Sequence, residues 1–147
     1  MFLSGLKVFR FSRRSEFIIH DDAFGQISSL RNLRTVEIDS PYFAELGMQS
    51  LCTSTKLTRL CLNGCASIPP TSFYLLSKLT ELTVVSLTDL PQLPQDSLEC
   101  FCPSGLVYLT LANAPVCELT PLTRCTILSN LILNSTKVTD ESLKALR

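Results

Sequence analysis

The sequence predicts an α/β solenoid: about six strand-and-turn units in one right-handed coil, with a parallel β-sheet on the concave face and helices or irregular turns on the convex face. Two observations carry that expectation. The first is the pattern L-x-x-L-x-L, which occurs at Leu6, Phe9, Phe11; Leu33, Val36, Ile38; Leu57, Leu60, Leu62; Leu79, Leu82, Val84; Leu106, Leu109, Leu111; and Leu128, Leu131, Leu133. The last two apolar residues of each copy are two apart, so they share one face of a strand while the residue between them faces the other way. The second is the spacing: successive copies begin 22 to 27 residues apart. A single unit cannot bury its own apolar face, whereas units returning at that interval bury each other's.

That interval is the length of leucine-rich repeats. The 147 residues suit a single domain of this kind, and 46% hydrophobic content supplies a core and argues against disorder. Thirteen acids balance thirteen bases, which removes the electrostatic footprint of a general nucleic-acid binder. No apolar run approaches eighteen residues, so no membrane span is expected. The seven cysteines, Cys52, Cys61, Cys65, Cys100, Cys102, Cys117 and Cys125, are odd in number and scattered through the repeats. They read as small buried hydrophobes in a reducing compartment. The first ten residues lack a basic stretch ahead of a long apolar run, so they make a poor secretory signal, and the expected location is intracellular, cytoplasmic or nuclear. Charge is uneven along the chain. Lys7, Arg10, Arg13, Arg14, Arg31 and Arg34 crowd the first quarter, and no base lies between Lys78 and Arg124.

The connecting segments follow in order. Asp21 or Asp22 is a candidate helix N-cap, with Phe24, Ile27 and Leu30 on one helical face behind it. After the second strand Ser40-Pro41 turns the chain, and Phe43, Leu46 and Leu51 form the next apolar stripe, weakened as a helix by Gly47. Pro69-Pro70 fits a helix start ahead of Phe73, Leu75, Leu76 and Leu79. The prolines of Thr88–Ser97 predict an extended linker, with helix only from Leu98 to Cys102. Leu119, Leu122, Cys125 and Leu128 complete the fifth face. Thr139 is an N-cap with Asp140 and Glu141 in the first turn, and Leu143 and Leu146 are expected to point inward. No polar cap precedes Leu3 and the last residues fall inside a helix, which predicts one repeat domain belonging to a longer solenoid.

Two stretches carry a family resemblance. Leu57-x-x-Leu60-x-Leu62-x-x-Cys65-x-x-Ile68 and Leu128-x-x-Leu131-x-Leu133-x-x-Thr136-x-Val138, continuing into Thr-Asp-Glu-Ser-Leu143, resemble the cysteine-containing, ribonuclease-inhibitor-like leucine-rich repeats of F-box substrate receptors. The resemblance implies a non-catalytic module that recognises protein substrates for a ubiquitin ligase. Arg14, Pro41, Leu87 and Ala114 stand where that class carries Asn, Cys or Thr, so gaps are expected in its side-chain ladder. The alternative is a structural subunit of a larger assembly.

Catalysis finds little support. The single histidine, His20, stands beside Asp21 and Asp22 without a local nucleophile, and reads as a surface imidazole next to two caps. Cys61-x-x-x-Cys65 and Cys100-x-Cys102 lack the second pair that zinc needs, and no glycine-rich phosphate loop is present. No enzyme activity, cofactor, metal or small-molecule ligand is expected, and the expected partner is a protein, with neither nucleic acid nor membrane. The candidate partner-binding residues are those facing outward between the leucines. They form a central column of Arg10, Glu37, Cys61, Thr83, Thr110 and Ile132 and a preceding one of Val8, Thr35, Arg59, Glu81, Tyr108 and Asn130. Arg10, Arg59 and Tyr108 are interface-anchoring types, and Glu37, Asp39 and Glu81 are charges that orient a partner.

Overall fold

A computed structural model describes residues 3, 5–12, 18–101 and 105–146. The ladder position expected at Arg14, the basic residue Arg13 and the thiol of Cys102 lie outside the described residues.

Six strands, β1 (Val8–Ser12), β2 (Thr35–Asp39), β3 (Arg59–Asn63), β4 (Val84–Thr88), β5 (Tyr108–Ala112) and β6 (Asn130–Ile132), form one sheet in sequence order. Every neighbouring pair is parallel. Within β2 to β5 the second and fourth residues are buried and the others are partly or fully exposed, as strand alternation requires. Val36, Leu60, Val85 and Leu109 line up across neighbouring strands, as do Ile38, Leu62, Leu87 and Leu111. The leucines that open these units, Leu33, Leu57, Leu82 and Leu106, are fully buried beneath them. Burying one such side chain contributes about 1.5–3 kcal/mol, so the stacked leucine rows are the main source of cohesion.

The fourth unit departs from the sequence expectation. Its frame is Leu82-x-x-Val85-x-Leu87, three residues later than Leu79-x-x-Leu82-x-Val84. Leu79 is buried too, but as the residue that closes the preceding segment. Leu87 is therefore a core strand residue and not a gap in the ladder, and the equivalent of Cys65 in this unit is the buried Leu90. Cys65 itself occupies its ladder position, its thiol directed at the carbonyls of Ile38 (3.8 Å) and Asn63 (3.4 Å).

The connecting layer mixes helix types. Two short α-helices, α1 (Asp21–Phe24) and α2 (Glu45–Leu51), serve the first two units. In the first unit α1 runs on into a 3-10 segment, Gly25–Ser29, and the third to fifth units use 3-10 segments alone: Pro70–Lys78, Gln95–Phe101 and Thr120–Arg124. The last helix is α3 (Asp140–Lys144). The Pro69-Pro70 start and the Thr139 cap are found where the sequence places them, the latter as a reciprocal box with Ser142. The segment expected to stay extended as far as Ser97 instead enters its 3-10 turn at Gln95. Three further expectations change. Asp21 does not cap its own helix; its carboxylate accepts from the backbone N–H groups of Ala44 (2.8 Å), Leu46 (2.7 Å) and Gly47 (2.9 Å), capping α2 from the neighbouring unit. Leu46 is exposed, and Met48 takes its place in the core. Leu143 and Leu146 are exposed, because Ser142 is the α3 residue turned inward, its hydroxyl donating to the Cys117 carbonyl.

Gly47 is there for space. A Cβ on it would lie 2.4 Å from the Phe43 ring and 2.8 Å from the Asp21 carboxylate, so only glycine lets both approach. The strand exits share a second device. Gly64, Asp89, Asn113 and Ser135 follow β3, β4, β5 and β6 with φ between 49° and 60°. The N–H groups of the first three donate to the carbonyls of Thr88, Ala112 and Asn134 in the next unit.

Candidate functional site

The sheet's open face carries three columns of side chains. The first is Val8, Thr35, Arg59, Val84, Tyr108 and Asn130; the second is Arg10, Glu37, Cys61, Ser86, Thr110 and Ile132. A third column, at the strand exits, is Ser12, Asp39, Asn63, Thr88 and Ala112. Neighbouring strands in a sheet are about 4.8 Å apart, so each column is a close-packed row.

Charge is confined to β1–β3. Glu37 sits between two arginines, accepting from Arg10 Nε at 2.6 Å and from Arg59 Nε at 3.3 Å. The Arg10 hydrogen bond, outweighing a partial loss of solvent, holds the Glu37 carboxyl below the usual carboxylate range. Cys61 lies beside Glu37 in the same column, and burial pushes its thiol up despite the nearby Arg59. That shift opposes thiolate chemistry at neutral pH. Asp39, two residues further along β2, accepts only the Ser12 hydroxyl among the described residues, at 3.5 Å. Beside it the side-chain oxygen of Asn63 is buried and makes no hydrogen bond among the described residues. These groups border a cavity of about 220 Å³ lined by Arg10, Ser12, Glu37, Asp39, Cys61 and Asn63, over Phe11 and Ile38. The β4–β6 half is neutral: Ser86, Thr88, Tyr108, Thr110 and Asn130 offer hydroxyl and amide groups around Val84 and Ile132.

Nine of the expected site residues therefore sit on one face: Arg10, Glu37, Asp39, Arg59, Cys61, Tyr108, Thr110, Asn130 and Ile132. Glu81 and Thr83 do not. The later frame of the fourth unit puts Glu81 in the preceding turn, where it pairs with Arg34 at 2.9 Å. It puts Thr83 at the approach to β4, its hydroxyl donating to the Thr58 carbonyl at 3.1 Å. Ser12, Asn63, Val84, Ser86 and Thr88 belong to the face instead; evening out the repeat intervals around Leu82 identifies the three in β4.

His20 is exposed, its ring 6.2 Å from that of Tyr42, and the neighbouring Asp21 is committed to α2. Among the described residues no group of three His, Cys, Asp or Glu side chains is placed to hold a metal, and no helix is long and apolar enough to cross a membrane.

No family model matches the chain, and no curated protein matches it at significance. Solved structures do. An internalin (inlF) from Listeria monocytogenes is similar over 98% of this chain, with a TM-score of 0.75 at 20% identity. The fold is a leucine-rich repeat solenoid. A TLR13–ssRNA13 complex (TM-score 0.66, 20% identity, 98% of this chain) and internalin C2 (inlC2) from Listeria monocytogenes (0.62, 16%, 90%) share it. The chain spans 39% of the internalin inlF chain, 21% of the TLR13 chain and 53% of the internalin C2 chain.

Proposed function

We propose that the protein is a non-catalytic recognition module that docks another protein on the open face of its sheet. The observation that carries this reading is the array itself: arginine, glutamate, tyrosine and hydroxyl side chains held in three rows by a rigid parallel sheet. Arg59 and Tyr108 have the size and chemistry of interface anchors, and both stand in the first column. Glu37, locked between two arginines, adds a fixed charge pattern that selects register more than it adds affinity. A formal charge of zero favours a protein over a nucleic acid as the occupant.

The finer reading is a substrate receptor of the F-box type, supported by the Cys65 ladder position and the capped Val138–Leu143 turn into α3. The thiols of Cys52, Cys61, Cys65 and Cys117 are unbridged, which supports an intracellular, reducing location. Burial pushes Cys52 up to about 12 and Cys65 up to about 11, as for packing residues.

The test is cross-linked capture from cells with wild-type protein, with Arg59→Ala/Tyr108→Ala, and with an outer-face control, Gln26→Ala/Lys78→Ala. A protein kept by the control and lost by the sheet-face pair, at unchanged melting temperature, supports the assignment. If both double variants keep every partner, the sheet face is not the docking surface. A second reading, an assembly subunit, is favoured by a mainly apolar cavity of about 310 Å³ over Phe9, Phe24 and Ile27 at the β1 end of the sheet. A concentration-independent monomer by light scattering removes self-assembly through that end.

A further inference from the structure

We propose that the docked protein lays a short acidic segment, glutamate or aspartate side chains, across the entry ends of β1–β3, one carboxylate being held by Arg10 and Arg59; this rests on the reading of the open sheet face as a docking surface. The first observation is an unbalanced triad. Arg10 and Arg59 each bond Glu37 through Nε, at 2.6 Å and 3.3 Å, and no other carboxylate pairs with either guanidinium among the described residues. Two positive charges therefore share one negative, on arginine side chains that are 66% and 48% exposed. Glu37 fixes where the two heads stand. Each guanidinium carries further N–H donors beyond Nε, in the fork that suits a second carboxylate.

The second observation lies on the adjoining rim. The turns that lead into β1, β2 and β3 carry Lys7, Arg31, Arg34 and Lys56, and no acid among the described residues. Of these only Arg34 makes an ion pair there, with Glu81 of the fourth unit at 2.9 Å. Turns 30–33 and 54–57 are equivalent, each closed by the N–H of its last leucine, Leu33 to the Leu30 carbonyl at 3.2 Å and Leu57 to that of Ser54 at 3.1 Å. Arg31 and Lys56 stand in them and line one cavity of about 670 Å³. The Ser28 and Thr53 hydroxyls in its wall donate to the carbonyls of Gly25 and Ser50, so the cations are the charged donors that an occupant meets.

The acids of the same units gather at the other end of the strands. Asp39 closes β2, and Asp21, Asp22 and Glu45 stand in the first turns of α1 and α2, where helix dipoles favour them. A formal charge of zero hides this separation, and the separation selects the occupant. A basic segment over the strand entries would meet like charge, and an apolar one would desolvate cations without pairing them. An acidic one finds partners along its length. β1 to β3 span about 10 Å, the reach of about three extended residues, which suits a short acidic run better than a long polyanion.

The probe is a blocked peptide of alternating glutamate and glycine, with its glutamine and lysine counterparts as controls, titrated by amide-resolved NMR at physiological salt. The expected result is saturable shifts centred on Arg10, Arg31, Lys56 and Arg59 with the glutamate peptide alone, at an affinity on the order of 0.1–1 mM. Arg10→Gln/Arg59→Gln should weaken it at least about tenfold, and Arg31→Glu/Lys56→Glu several-fold. Arg124→Glu/Lys137→Glu, which changes the net charge as much as the rim pair does but in the fifth and sixth units, should leave it unchanged. No saturable shift, equal shifts with the glutamine peptide, or equal losses in the rim pair and its control overturns the proposal, the last by showing diffuse attraction only. A uridine oligonucleotide of matched charge that binds more tightly than the peptide overturns a protein segment as the occupant. Should Arg10→Gln/Arg59→Gln fail to fold, the rim pair and its control decide the matter. Partner capture lost in Arg59→Ala/Tyr108→Ala but kept in Arg10→Gln and in Arg31→Glu/Lys56→Glu overturns the acidic segment while the docking surface stands. Glutamate-peptide binding in a chain whose sheet-face variants lose no partner overturns the docking reading and, with it, a docked protein as the source of the carboxylates.

Discussion

The strand side of the solenoid repeats itself and the outer side does not. β1 to β5 are each five residues long and step across the sheet in unbroken register. The outer layer runs from the four residues of α1 to the nine of the Pro70–Lys78 segment, and each unit fastens itself differently. Asp21 caps α2 from one unit away. Gln95 does the comparable job further on with its side-chain amide, accepting from the Cys117 and Glu118 N–H groups and donating to the Glu118 carbonyl. Tyr74 and Asp96 bridge two 3-10 segments at 2.7 Å, a hydrogen bond that raises the tyrosine pKa. The difference teaches where uniformity matters. A recognition face needs evenly spaced side chains, and periodic leucines supply the spacing; the outer layer needs only its backbone groups satisfied, which single contacts can do in many ways.

That contrast can be broken most forcefully in the sheet. Leu60→Ala empties a fully buried position flanked by Val36 and Val85, and should cost about 2–5 kcal/mol in denaturant unfolding. Its loss should reach both sides, lowering hydrogen-exchange protection in β2 and β4 together. A smaller and more local effect is expected outside. Asp21→Ala removes the α2 cap and should cost about 1–2 kcal/mol, with protection lost in Glu45–Leu51 and little change in β4–β6. Equal spread in the two variants would erase the distinction between the layers. The smallest effect belongs to the charged row on the sheet face. Glu37→Gln should cost under about 1 kcal/mol, because the pairs with Arg10 and Arg59 are largely solvated. The Glu37 carboxyl is held below its unfolded value, so its contribution is complete above the ordinary carboxylate range. It should vanish as pH falls through the lowered folded-state value, and the wild-type and Glu37→Gln unfolding curves should converge in acid.

The same contrast explains what the sequence made legible. Period-two leucines place a strand without knowledge of the rest of the chain, and for five units that reading gives the observed frame. The fourth defeats it because Leu79, Leu82, Val84, Val85 and Leu87 satisfy two frames three residues apart. Both leucines at issue are buried, Leu79 closing one segment and Leu82 opening the next strand unit, so hydrophobicity cannot separate them. The adjacent valines remove the alternation that would. The earlier frame places Glu81 and Thr83 on the sheet face and leaves Ser86 and Thr88 off it, the reverse of what the strand register gives. In the outer layer the obstacle is distance. Asp21 looks like a cap for the helix it begins, and nothing nearby in sequence announces that its donors lie 23 to 26 residues on. Gly47 reads as a helix weakener until the Phe43 ring and the Asp21 carboxylate are seen against its Cα. Asn63 showed no signal of its own; its interest comes from an oxygen that only the packing leaves stranded.

The left-handed corners at Gly64, Asp89 and Asn113 bear on how such a molecule can change size. Each latches its N–H onto a carbonyl of the following module, and the Asn113 side chain also reaches back to the Asp89 carboxylate at 2.7 Å. A whole module spliced between two others meets a ready catch on its upstream side and brings one for its downstream neighbour. A partial splice would misalign every latch beyond it. Growth or shrinkage of this scaffold therefore comes in quanta of one module, and the length of its docking face is adjustable only in those steps.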